Sequence, residues 1–119
     1  MALFKIDSET KNGIPLLKIE GDIDLHTCPE LRSAVQIALQ GSPEKLILDL
    51  SHVTYIDSTG LGVIALTAKQ MSGHEGKIYA VCSQPHIRKV FELSGLQKKN
   101  VFLYDTHEVL NQIDKDATI

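Results

Sequence analysis

Apolar residues fall along the chain in short blocks whose spacing changes period from one block to the next. The segments 3–9 (LFKIDSE) and 15–21 (PLLKIEG) read as two strands. Lys11-Asn12-Gly13 between them is a hairpin turn signal, because Asn and Gly tolerate the positive φ angles a tight turn requires. Residues 27–41 then switch to helical spacing, with Leu31, Ala34, Val35, Ala38 and Leu39 on one stripe. Thr27 with Glu30 three residues on has the form of a capping box, Pro29 suits a first turn, and Gly41 is a stop. Segment 45–50 (KLILDL) is a nearly continuous apolar run, the pattern of a strand covered on both faces.

Helical spacing returns over 58–73, through Leu61, Ile64, Ala65, Ala68 and Met71. Segment 77–82 (KIYAVC) reads as a further buried strand. Segment 84–95 reads as a helix carrying Ile87, Val90 and Phe91 and ended by Gly95. Segment 101–104 (VFLY) is a last strand, and Thr106 caps a final helix through Val109, Leu110 and Ile113. Strands alternating with helices from residue 15 onward predict right-handed crossovers and a mainly parallel sheet. The expectation is one α/β domain over 1–119: a single mixed, mainly parallel sheet of about five strands with about four helices.

Composition narrows the function classes. A net charge of −3 with no Lys/Arg stripe argues against a nucleic-acid partner, and the absence of Trp argues against a base-stacking platform. No apolar run approaches the length of a membrane span, and the first residues lack a signal-peptide core, so a cytoplasmic location is expected. Cys28 and Cys82 have no CxxC partner and read as small buried hydrophobes.

The candidate chemistry sits at the junction 55–67 (YIDSTGLGVIALT). After the strand at 45–50, residues 51–57 read as a loop with Val53 and Ile56 tucked inward, and a helix begins near Ser58. The first N–H groups of a helix lack intrahelical partners and carry partial positive charge. Asp57 or Ser58 therefore serves as an N-cap on the plainest reading. Gly60 and Gly62 add something to that reading, because glycine in a first helical turn costs about 1 kcal/mol relative to Ala. Such glycines make sense where another group must approach closely.

Other chemistries fit poorly. Gly60 and Gly62 begin a G-x-G, but Ala65 stands where a third glycine would complete a dinucleotide fingerprint, and no GKS or GKT follows. A nucleophile elbow around Ser58 would need Gly at position 56, which is Ile. His26 and Cys28 lack a second ligand pair. Asp22 and Asp24, between the second strand and the first helix, lack a third acidic residue for a Mg²⁺ site. The pattern thus calls for no cofactor and no metal. In a parallel sheet the Asp22/Asp24 loop and the Ser58 junction both lie at the C-terminal edge, where such folds place their sites.

Three stretches, 21–31 (GDIDLHTCPEL), 46–64 (LILDLSHVTYIDSTGLGVI) and 90–96 (VFELSGL), resemble the signatures of STAS-domain anti-sigma factor antagonists, in the family's order. The resemblance covers essentially the whole chain. It implies a STAS fold and a binding module, not an enzyme. By resemblance, Ser58 is the residue phosphorylated by a partner that is both anti-sigma factor and serine kinase, and a PP2C-type phosphatase reverses the reaction. The unphosphorylated protein would bind that partner and free the sigma factor. Thr59, where many members carry a second Ser, leaves a second possible acceptor. Asp22, Asp24, Asp57, Ser58, Thr59, Gly60, Leu61 and Gly62 are the implied partner-binding residues. The implied state is a monomer or weak dimer, with no direct contact to nucleic acid or membrane. The alternatives are a STAS scaffold that does not switch, as in stressosomes, and a small Ser-dependent hydrolase. The presence of Ser58 favours the switching type.

Overall fold

The computed structural model describes residues 3–105. Strands β1 (Lys5–Lys11) and β2 (Ile14–Ile23) form the expected antiparallel hairpin. Lys11 pairs with Ile14, so Asn12 and Gly13 alone make the turn, with φ of 52° and 81°. Positive φ at both central residues is the type I′ geometry whose twist matches the flanking strands.

The chain continues through α1 (Cys28–Ala38), β3 (Lys45–Ile56), α2 (Ser58–Ser72), β4 (Lys77–Val81), α3 (Pro85–Ser94), a 3-10 turn (Leu96–Lys98) and β5 (Val101–Tyr104). The sheet order is β1-β2-β3-β4-β5, with β2 to β5 mutually parallel. One core collects Leu31 and Val35 of α1, Ile64, Ala68 and Met71 of α2, and Ile87 and Phe91 of α3. They pack against Leu17, Ile19, Leu46, Leu48, Leu50 and Ile78 of the sheet. Ile47 alternates to a second cluster with Ile14, Leu16, Tyr79 and Val81, so the 45–50 run is buried on both faces as its continuous apolarity predicts. Gly95 ends α3 in the left-handed conformation at φ 77°, the expected C-cap. Among the described residues no helix is long and apolar enough to cross a membrane. The helix predicted from Thr106 lies outside them.

Four details differ from the sequence pattern. Residues 51–56 are not a loop: β3 runs on to Ile56, because β2 also runs on, pairing Gly21 with Val53 and Ile23 with Ile56. Register shifts after Lys18 and Gly21 break the alternation that would mark the strand in sequence. Gly21, at φ 94°, has no room for a side chain: a Cβ there would stand 2.9 Å from the Leu3 carbonyl oxygen.

The capping box at Thr27 does not form. Thr27 adopts helical backbone angles and makes no side-chain cap bond; its hydroxyl is spent on the preceding loop. Helix α1 also ends at Ala38, short of Gly41, which takes φ 84° in the turn beyond. Finally, α2 buries Val63 and Thr67 besides the predicted stripe, the Thr67 hydroxyl donating to the Val63 carbonyl at 2.7 Å.

Candidate functional site

Strands β2 and β3 end side by side, and the two helix starts that follow share the resulting edge. The Asp57 N–H donates to the Ile23 carbonyl at 3.1 Å, which ties the start of α2 to the end of β2. Asp57 has extended backbone angles, and its carboxylate accepts from the Gly60 N–H at 3.0 Å, making it the N-cap of α2. Ser58 is thereby released from the cap role. It is exposed, and its hydroxyl makes no hydrogen bond to the described residues. Thr59 beside it is partly buried.

Gly60 explains itself by packing. A Cβ at this position would lie 2.5 Å from Cγ2 of Ile23 and 2.9 Å from Cγ1 of Ile56. The first turn of α2 thus presses directly on the two strand ends, and Leu61 packs partly against the core. Gly62 is different: nothing lies within 4 Å of its would-be Cβ. The close-approach argument therefore holds for Gly60 and not for Gly62, whose missing side chain leaves the surface beyond Ser58 bare.

The Asp22/Asp24 loop is built, not merely solvated. Asp24 Oδ1 accepts from the N–H groups of His26 at 2.9 Å and Thr27 at 3.1 Å. The Thr27 hydroxyl donates to the Asp22 carbonyl at 2.8 Å and accepts from the Asp24 N–H at 2.9 Å. The Asp22 carboxylate accepts from the Thr54 hydroxyl at 2.6 Å. Asp22, Asp24, Asp57, Ser58 and Thr59 thus share one edge. None of the three carboxylates has an ion-pair partner among the described residues. The buried Cys28 thiol feels two of them: its pKa is pushed up first by desolvation and then by Asp57, with a smaller push from Asp24. Burial likewise raises the Cys82 thiol. Both cysteines are free and buried, as their isolation in sequence predicted.

Sequence reasoning missed the residues that brace this edge from α3. Strand β4 pairs with β3 only as far as Asp49↔Val81, which leaves later β3 carbonyls without a ladder partner. The Gln84 amide donates to the Leu50 and Val53 carbonyls at 2.8 and 2.7 Å, and His86 Nε2 lies 3.0 Å from the Thr54 carbonyl oxygen. These pairs lie more than thirty residues apart in sequence, so no local pattern announces them. No histidine among the described residues hydrogen-bonds Ser58, and no group of His, Cys, Asp and Glu there could hold a metal ion.

The model of the STAS domain family matches residues 5–110. The chain belongs to the STAS-domain family. Among curated relatives, the anti-sigma-B factor antagonist of Staphylococcus aureus is 29% identical over 92 residues, covering 77% of this chain and 85% of the relative. Among solved structures, an anti-sigma factor antagonist from Mycobacterium paratuberculosis superposes with a TM-score of 0.82 at 29% identity, covering 93% of each chain. The antagonist SpoIIAA in its unphosphorylated form superposes with a TM-score of 0.72 at 20% identity, over 98% of this STAS chain and 100% of SpoIIAA. SpoIIAA in its phosphorylated form superposes at 0.70 with 20% identity, over 93% and 99% of the two chains. At that identity the likeness to SpoIIAA is one of fold.

Proposed function

We propose that this STAS domain is an anti-sigma factor antagonist whose binding is switched by phosphorylation of Ser58. The observation that carries the reading is the division of labour at the start of α2. Asp57 caps the helix, so the Ser58 hydroxyl is exposed and unpartnered at the positive end of a fifteen-residue helix. The γ-phosphoryl group of ATP, carried by a serine-kinase anti-sigma factor, passes to Ser58 Oγ. The Oγ–P bond forms as the bond to ADP breaks, and the hydroxyl proton passes to a basic group of the kinase or to solvent. Thr59 is the lesser acceptor because it is partly buried. A PP2C-type phosphatase hydrolyses the same bond to reset the switch. Relatives with the antagonist name, in Staphylococcus aureus and Mycobacterium paratuberculosis, support the role, and SpoIIAA, of the same fold, exists in both phosphorylation states.

The physics of such a switch is local. A phosphoryl group adds about −1.5 to −2 charge, and a helix N-terminus tolerates it. Beside the carboxylates of Asp22, Asp24 and Asp57 it makes the edge strongly anionic. A partner surface matched to a neutral hydroxyl then meets a charge it does not solvate, and affinity is lost without unfolding. A repulsion of about 2–4 kcal/mol gives a usable switch, since each factor of ten in affinity is about 1.4 kcal/mol.

Ser58→Asp tests the electrostatic account by calorimetric titration against the anti-sigma factor kinase at two salt concentrations. Asp is itself a good helix starter, so the fold survives. Affinity is expected to fall by about tenfold or more at low salt and to recover partly as salt screens the added charge. Near-wild-type affinity at both concentrations would sink the electrostatic account. A mass measurement after incubation with the kinase and ATP checks the acceptor: absence of a phosphoryl group on Ser58 overturns the reading.

A further inference from the structure

The exposed face of α2 does not end at the phosphoacceptor. Residues four apart lie on one helical face, so Ser58, Gly62 and Leu66 form a stripe, and Lys69 continues it one turn further. Leu66 stands 63% exposed, among the more exposed large apolar side chains of the described residues. Beside it opens a groove of about 550 Å³ between α2 and the 3-10 turn before β5. Ala65, Leu66 and Ala68 supply its apolar wall, and Lys69, Lys98 and Lys99 its charge. None of these lysines forms an ion pair with a described residue. The two ends of the stripe are therefore of opposite sign, carboxylates around Ser58 and ammonium groups around the groove. Eleven residues of helix separate Ser58 from Lys69, about 16 Å.

We infer that this groove is a second docking point for the partner that acts on Ser58, and that it takes a carboxylate-rich segment of that protein with an apolar seat for Leu66. The inference rests on the proposed function and adds to it the chemistry of the partner's surface. Two observations favour this occupant. The groove continues the exposed stripe that begins at Ser58, so a protein seated on the acceptor extends onto it. The groove also gathers cations on a chain whose net charge is −3, so an acidic segment is repelled elsewhere and attracted here. Opposite charge at the two ends then fixes which way round the partner lies, bringing its kinase site to Ser58.

The test uses the full chain with Lys98→Glu/Lys99→Glu combined, and separately with Leu66→Ala. These side chains are solvent-facing, and circular dichroism with a thermal midpoint checks that each variant folds as wild type. Affinity for the anti-sigma factor kinase is measured at two salt concentrations, and Ser58 phosphorylation is followed for kcat and KM separately. The charge reversal is expected to lower affinity about tenfold and to flatten its salt dependence. KM should rise by a similar factor with kcat unchanged, because the variants do not touch the acceptor. Leu66→Ala is expected to lower affinity severalfold with the salt dependence intact. Wild-type affinity and KM in both variants, with Ser58 still phosphorylated, would overturn the groove alone. A wild-type chain that neither binds the kinase nor gains a phosphoryl group would overturn the proposed function and this inference with it.

Discussion

Helices α1 and α2 start at the same edge of the same sheet, each with an aspartate and a hydroxyl residue at its start, and they use them in opposite ways. At α1 both groups are consumed. Asp24 holds the N–H groups of His26 and Thr27, and the Thr27 hydroxyl bridges the Asp22 carbonyl and the Asp24 N–H. At α2 the carboxylate alone completes the cap, and the Ser58 hydroxyl is left over. A hydroxyl in a turn is building material when its hydrogen-bonding capacity is met by the backbone. It is available for chemistry when another side chain has already met that need. Residue type does not distinguish the two cases; the hydrogen-bond inventory does.

Substitutions at the two starts should separate along the same line. The largest effect is expected at Gly60, where Ala would place a methyl against Ile23 and Ile56 in a packed core. Gly60→Ala should cost about 3 kcal/mol by overpacking. Gly62→Ala, with open space around it, should instead stabilise the helix by up to about 1 kcal/mol. Denaturant unfolding of the pair reads both, and equal destabilisation would mean the close approach of α2 to the strand ends is wrong.

Thr27→Val comes next. It keeps the shape but leaves the Asp22 carbonyl and the Asp24 N–H without their partner, an expected loss of about 2 kcal/mol. Unfolding within error of wild type would show that water replaces the hydroxyl. Asp57→Ala removes the cap of α2 and should cost about 1 kcal/mol by the same measurement. The smallest stability effect belongs to Ser58→Ala, below about 0.5 kcal/mol, because nothing in the described fold depends on that hydroxyl. The same variant should abolish phosphoryl uptake at residue 58, read by mass. A fall in stability as large as that of Thr27→Val would erase the contrast between the two starts.

Much of the scaffold is legible in the sequence, because it rests on local preferences. Asn12-Gly13 announces its turn through backbone freedom, Gly95 its helix end, and the 45–50 run its burial on both faces. The junction at Asp57 and Ser58 is legible as a helix start for the same reason. Asp57 and Ser58 compete for the cap on paper, and either type would satisfy the rule. The extension of β3 to Ile56 is not legible, since the register shifts against β2 break the period of two that marks a strand.

The chain alone therefore determined the order of elements, the parallel sheet and the placing of its hydroxyl cluster at a helix start, because period, turn chemistry and caps act over a few residues. Only the tertiary structure decided what each polar group does. The pairing of β2 with β3 brings Asp22, Asp24 and Asp57 to one edge. Ile23 and Ile56 under the first turn of α2 require Gly60. Gln84 and His86 reach carbonyls of β3 that β4 is too short to pair. Apart from that of Ile56 with Gly60, these contacts join residues thirty or more positions apart, and their energy exists only once the sheet has closed the distance. The free hydroxyl of Ser58 follows from that same closing of the sheet, because Asp57, tied to the end of β2 through its N–H, already takes on its carboxylate the Gly60 N–H that a capping serine would hold.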